Sequence, residues 1–282
     1  MNRKRNLALL VALLALVMAT QGCGVINKLR AKNALNEGVR EFNKGKYDEA
    51  EVKFTKAVQL SPDLANAKLF KARTIYQLYD QQRTPEAAQK ALDAYQDIID
   101  TSKDNPQLVD QALAFQADIY DKLTKSAEEK GDQGKADAEK YRKKYHEVLE
   151  ARAALPGAKD DTKAAVYYSI GQSYWSDSFK ISRAYVNYDG TLKQPIPQDK
   201  TDQMRPAIEK SLQYLNQALQ YNPDYADVWT IKKLALMQKS FITSDPAQKQ
   251  ALKTEIDAAD KKAKGLYEKR KQEAASANAK AT

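Results

Sequence analysis

The sequence contains one cysteine, Cys23, and one histidine, His146. A disulfide needs two thiols, so no intrachain disulfide framework is available. Transition-metal sites draw on several His and Cys ligands, and one of each is too few. Ser-His-Asp or Cys-His catalysis would have to use His146, which stands among Lys143, Lys144 and Glu147 on a charged helix and reads as a surface residue,. Glycine (10) and proline (9) are scarce in 282 residues. Sheet proteins with frequent tight turns need both, so an all-α chain is expected from the plentiful Ala, Leu, Lys, Gln and Glu. The stretch Gly131-Asp132-Gln133-Gly134-Lys135-Ala136 has part of a phosphate-loop spacing, but Glu129 replaces its first glycine and Ala136 its magnesium-binding hydroxyl,. No catalytic residue, metal or non-covalent cofactor is expected.

A strong excess of one charge sign is also missing. The formal charge is +9; removing Arg3, Lys4 and Arg5 with the leader leaves 43 basic residues against 37 acidic ones, or +6. Both signs are mixed along most helices, without the clustered basic, aromatic-interleaved patch that grips nucleic acid, so no nucleic-acid partner is expected. Apolar residues make up 43%, enough for a continuous core,.

The longest apolar run, Leu7 to Ala19, has thirteen residues. That is short of the ~20 needed to cross a bilayer. With Arg3, Lys4 and Arg5 before it, residues 1–22 read as a signal peptide. The run ends at Thr20-Gln21-Gly22-Cys23, which resembles a bacterial lipoprotein signal, whose cysteine thiol is acylated and becomes the new N-terminus. Gly22 fits that pattern, whereas Thr20 and Gln21 stand where the family usually has Leu and Ala or Ser. The other reading is an ordinary secretory signal that leaves Cys23 as a stray thiol, an unusual state in an oxidising compartment. The resemblance implies a palmitate-type lipid on Cys23 and a membrane-anchored location in the envelope. Gly24 stands where an Asp would signal inner-membrane retention, which points to the periplasmic face of the outer membrane. Residues 23–30 then read as a tether, and residues 272–282, rich in Ala, Ser, Asn and Lys, as a disordered tail.

Between them the chain repeats itself. Gly38 is followed by Gly45, Tyr47, Ala50, Phe54, Ala57 and Pro62. Ala72 comes one period of 34 residues after Gly38, with Ile75 and Tyr76 behind it and Ala91, Tyr95 and Ile98 on the next helix. Leu113, Ala117 and Tyr120, then Ala138 to Leu149, form a weaker third unit. Tyr167, Ile170, Gly171 and Tyr174 open a clear fourth, which Ser211, Leu215, Ala218 and Pro223 complete. A degenerate fifth starts near Ala226, with Trp229 and Lys233, and ends in a charged helix with one apolar stripe through Leu252, Ile256, Ala259, Ala263 and Leu266,. The physical reading is consistent: Gly38, Ala50, Ala57, Ala72, Gly171 and Ala218 are small where helices cross, Phe54 fills the space between pairs, and Pro62 and Pro223 end helices.

These spacings resemble the tetratricopeptide repeat (TPR) family over residues 31–271, most clearly in units one and four. The resemblance implies a right-handed superhelix of about five helix pairs, and a scaffold that binds other proteins or peptides through its concave groove. In that family the first helix of each pair lines the groove. The matching positions are Leu35, Val39 and Phe42 in unit one, Leu69, Arg73 and Tyr76 in unit two, and Tyr168, Gln172 and Trp175 in unit four. Leu35 and Val39 occupy places where one subclass clamps terminal carboxylates, so that activity is not implied. The chain is broadly similar to TPR lipoproteins that assist outer-membrane protein or secretin assembly, with no motif selecting either. An insertion over 176–203 separates the helices of unit four. Its Tyr185-Val186-Asn187-Tyr188-Asp189-Gly190-Thr191-Leu192 stretch has the turn and partial alternation of a short hairpin, and Phe179, Tyr185 and Tyr188 are placed to cover the groove or meet a partner. The alternative function is a periplasmic solute-binding accessory with a Tyr/Trp-lined pocket in unit four.

Overall fold

A computed structural model describes residues 24–281, with side chains described through residue 277. The leader and Cys23 lie outside the described residues. Ten α-helices follow in order among them: α1 (24–43), α2 (Tyr47–Leu60), α3 (Ala65–Gln82), α4 (Pro85–Thr101), α5 (Pro106–Glu128), α6 (Lys135–Ala153), α7 (Asp160–Ser182), α8 (Gln198–Tyr221), α9 (Ala226–Phe241) and α10 (Pro246–Ala281). The only extended pairing among the described residues is an isolated antiparallel bridge, Val186 to Leu192, inside the region read as a hairpin.

The few prolines and glycines punctuate these helices. Pro85 and Pro106 stand at helix starts, where the missing N–H costs nothing,. The residues before them cap the helix: Thr84 accepts from the Ala87 N–H and Asn105 from the Leu108 N–H,. Asp245 does the same for α10, accepting from the Ala247 N–H at 2.7 Å. Gly45 takes φ +75° in the α1–α2 turn, a conformation side chains resist,.

Two compact units divide at Tyr145 and His146, within α6. In the first, α2 to α5 each pack on the next, with α3 also meeting α5, and α1 meets α2 at Gly38 and Phe54 and through the Lys53–Glu37 pair. Ala34, Ala57 and Ala67 form one small cluster there. Ala72, Ile75, Tyr79, Ala91, Tyr95, Ile98, Ala112 and Ile119 form the larger core. Ala50, Phe54, Ala57 and Ala72 are fully buried, Gly38 is buried at the α1–α2 crossing, and Pro62 is exposed in the turn after α2. In the second unit α7 packs on α8, α8 on α9, α9 on α10, and α7 also on α9. Gly171 and Ala218 are buried on α7 and α8, and Pro223 is exposed after α8.

Gly171 shows how tight the α7–α8 crossing is. A Cβ added there would lie 2.8 Å from Leu215 Cγ and 3.2 Å from the Leu215 backbone N. The side chain could shift, but the backbone of α8 could not. Gly171→Leu is therefore expected to destabilise the chain by ~1–3 kcal/mol through overpacking, read as a lowered urea midpoint with helix content retained.

Three readings of the sequence need correction. Residues 24–30, read as tether, are the first turns of α1, and residues 272–281, read as disordered tail, continue α10. Both stretches are free of proline, and both carry helix formers, so the helix propagates where nothing stops it. The 176–203 insertion is only partly loop: α7 runs on to Ser182, α8 begins at Gln198 and continues through Pro206, and the connection is residues 183–197.

Candidate functional site

The second unit carries a cleft of about 480 Å³ between the end of α7, the 183–197 connection and α9. On α7, Trp175, Phe179 and Ser182 line it at helical spacing; on α9, Leu234, Met237, Gln238 and Phe241 do, also on one face,. The Trp175 and Phe179 rings stack at 5.1 Å. A polar bridge joins the two helices at the base: Ser178 Oγ donates to Gln238 Oε1 (2.5 Å), and Gln238 Nε2 donates to Ser182 Oγ (3.3 Å). Gln238 and both serines are buried, so these bonds satisfy groups that would otherwise be costly to desolvate,.

The connection forms a folded flap over this cleft. Tyr185 and Ile196 pin its ends into a cluster with Ile181, Met204, Ile208 and Phe241. Between them the Asn187 N–H donates to the Thr191 carbonyl (2.8 Å) and the Lys193 N–H to the Tyr185 carbonyl (2.9 Å). Gly190, at φ +84°, takes the turn, and a Cβ there would come within 3.1 Å of Met237 Cε, so the tip rests directly on α9. Asp189 accepts from the Thr191 hydroxyl (2.6 Å) and N–H (2.9 Å), which hold its carboxyl below the usual range,. Tyr188 is fully exposed at the rim and Phe179 is 42% exposed.

Of the α7 residues Tyr168, Gln172 and Trp175 expected to meet a partner, only Trp175 lines the cleft; of the insertion residues Phe179, Tyr185 and Tyr188, Phe179 and Tyr188 line it and Tyr185 packs beneath the flap. Trp175 also packs against the α8–α9 core, so it has two roles. Tyr168 lies on the same side of α7 but is turned into that core, its ring 5.2 Å from Tyr225. Burial pushes its phenol up to about 12. Gln172 is exposed and stands outside the lining. In unit two, Leu69 and Tyr76 are core residues, and this corrects their assignment to an open groove. Tyr76 is held there by a network in which Lys122 Nζ bonds Tyr76 Oη, Asp80 (2.9 Å) and Asp118 (3.0 Å). Burial alone would lower the Lys122 ammonium pKa; those hydrogen bonds outweigh it and raise it. Arg73 reaches solvent, with its guanidinium 5.5 Å from the Phe115 ring centre. In unit one, Leu35 packs on the alanine cluster, and Phe42 meets Tyr47 and Phe70 edge-on.

His146 also needs correction, because it is buried and its Nε2 lies 3.0 Å from Ser173 Oγ. Its ring sits 4.6 Å from Tyr174, at the end of a stack running Tyr221, Tyr167, Tyr214, Tyr174. This stack joins α7 to α8 internally, with Tyr167 and Tyr174 at positions the repeat spacing assigns to the packing of unit four,. The residues that sequence reasoning missed are Arg183, Lys193 and the α9 face. That face was legible in the three- and four-residue spacings among Leu234, Met237, Gln238 and Phe241. Its partner was not, because only the α7–α9 contact brings it to Trp175.

No protein-family model matches the sequence, and no curated protein matches it either. Among solved structures, the chain is similar to the crystal structure of MamA protein at 14% identity and TM-score 0.50, over 86% of this chain and 94% of that one. It also aligns with TTC0263, a thermophilic TPR protein of Thermus thermophilus, at 17% identity and TM-score 0.38, over 81% of this chain and 98% of that one. The chain has a tetratricopeptide-type fold. In each unit the tetratricopeptide pattern is met by helices packed on the next in order, and the first helices of successive pairs touch, α3 with α5 and α7 with α9. The cleft departs from a plain tetratricopeptide array, because a flap between the helices of one pair reaches over to the first helix of the next.

Proposed function

We propose that this chain is a lipid-anchored scaffold of the bacterial cell envelope that holds a protein partner in the cleft of its second unit, and that it is not an enzyme. The cleft carries this reading: Trp175, Phe179 and Phe241 with the Met237 thioether supply the aromatic, adaptable surface typical of interface anchors, and Phe179 and Tyr188 leave apolar rings exposed at its mouth,. Support for the anchor comes from α1. Val25, Ile26 and Leu29, directly after Cys23, are 71%, 52% and 62% exposed on one face of the helix. Lys28, Arg30 and Lys32 flank them, a distribution suited to lying against an anionic bilayer surface,. A lipid on Cys23 would hold the chain at that surface and raise its local concentration there.

Site-specific photocrosslinking in intact cells tests the cleft. A photoreactive phenylalanine at position 179 is expected to give a discrete protein adduct, and the same probe at Val52, exposed on α2, is not. Trp175→Ala should reduce the adduct at least about tenfold, as loss of an aromatic anchor does. Equal adducts at both positions, or an adduct indifferent to Trp175→Ala, would remove the cleft as the partner site. The second reading, capture of a small solute, is favoured by the cleft volume, which falls in the small-molecule range,. It predicts no protein adduct and a bound compound in native mass spectra.

A further inference from the structure

Resting on that reading of the cleft, we propose that the partner presents an acidic peptide segment with one large apolar side chain, which enters the cleft while neighbouring carboxylates meet Arg183 and Lys193.

The charge distribution points this way. Thirteen residues line the cleft; Arg183 and Lys193 are charged, and none is Asp or Glu. Among the described residues neither cation has an ion pair or a side-chain hydrogen bond, whereas other cations of this unit are matched, Lys233 on α9 with Asp260 at 3.0 Å and Lys262 on α10 with Asp224 in the α8–α9 turn at 2.9 Å. Asp189, the acid on the flap, is not in the lining, and its Oδ1 accepts from the Thr191 hydroxyl and N–H. Arg183 caps the C-terminal end of α7, its N–H donating to the Phe179 carbonyl at 2.9 Å. The negative end of the helix dipole therefore supports its charge without a counter-ion. An anion arriving at the cleft thus finds two cations, one from each end of the flap hairpin, and no acid in the lining to compete for them.

The apolar lining sets the other half of the ligand. Trp175, Phe179, Met237 and Phe241 enclose a volume that one large side chain and part of its backbone would fill. Phe179 and Tyr188 continue the apolar surface beyond the cleft into solvent. A compound confined to the cleft would leave those rings uncovered, whereas an extended peptide would run across them. Close charge pairs at a partly desolvated rim add selectivity and association rate to the anchor.

The test uses the intact chain purified in detergent and fluorescence polarisation with three labelled peptides: alternating Glu and Ser around one central Phe, the same with Lys for Glu, and the acidic one with Ala for Phe. The acidic Phe peptide is expected to bind at least about tenfold more tightly than either control, and to weaken as salt rises. Arg183→Gln with Lys193→Gln should lower its affinity at least about tenfold with an unchanged circular dichroism melt, because both side chains are exposed,. Phe179→Ala should do the same. Equal binding of the basic peptide, indifference to the double variant, or no binding of the acidic peptide at about millimolar concentration overturns the proposal. Displacement by laurate at lower concentration than by the peptide also overturns it, and reassigns the cleft to a small amphiphile. If a protein adduct at position 179 still depends on Trp175 while the charge preference is absent, the cleft remains the partner site and only the acidic character falls.

Discussion

Phe54→Ala is expected to cost ~3–5 kcal/mol. Phe54 is fully buried, and its ring stacks on Phe70 at 5.4 Å. It also fills the crossing at Gly38, where an added Cβ would lie 2.6, 2.7 and 2.9 Å from three atoms of the same ring. An aromatic ring cannot bend aside as an aliphatic terminus can, so Gly38→Ala alone should also destabilise, by ~1–3 kcal/mol. The two changes should not add. Once Phe54 is reduced to Ala, the atoms that oppose a Cβ at position 38 are gone, and Gly38→Ala should then be neutral or stabilising, since Ala is the better helix former by ~1 kcal/mol. Urea unfolding of the four proteins of this cycle measures the coupling. Additive losses would show that Gly38 is small for a reason other than the Phe54 ring.

Cys23→Ser is expected to give the largest change in location. The wild-type chain should incorporate labelled palmitate and sediment with membranes; the variant should lose the label and accumulate as uncleaved precursor or as a soluble form. An acyl chain contributes ~0.8 kcal/mol per buried CH₂, so removing the lipid removes most of the membrane affinity. Val25, Ile26 and Leu29 bury too little area to replace it, and no helix of the described residues is long and apolar enough to cross a membrane. A wild-type protein recovered in the soluble fraction without label would overturn the anchor and leave the cleft untouched.

The sequence by itself determined the helices and their close crossings. The 34-residue offset from Gly38 to Ala72, and the Tyr167-Ile170-Gly171-Tyr174 spacing, mark positions that stay small or apolar for local geometric reasons. Such reasons are legible in one dimension, because a helix repeats every ~3.6 residues and its neighbour lies one short turn away. Exposure was less legible. Tyr168 and Trp175 share a face of α7, yet one is turned into the core at Tyr225 and the other lines a cleft. His146 looked solvated among charged neighbours and is buried against Tyr174. Helical periodicity names the face a side chain is on but not what stands opposite, which depends on helices far along the chain.

The insertion carries the same lesson further. The sequence reads 176–203 as one insertion between the unit-four helices, but much of the added length extends α7 and α8 by whole turns. Only tertiary structure decided that the remaining residues, 183–197, fold back as a flap whose glycine tip rests on Met237. Only tertiary structure, too, set Arg183 and Lys193 on the rim of an apolar cleft with no acid in its lining. Repeat spacing encodes contacts between sequence neighbours, whereas this site is made by residues from 175 to 241 that meet only because α7 and α9 pack side by side with the flap across them.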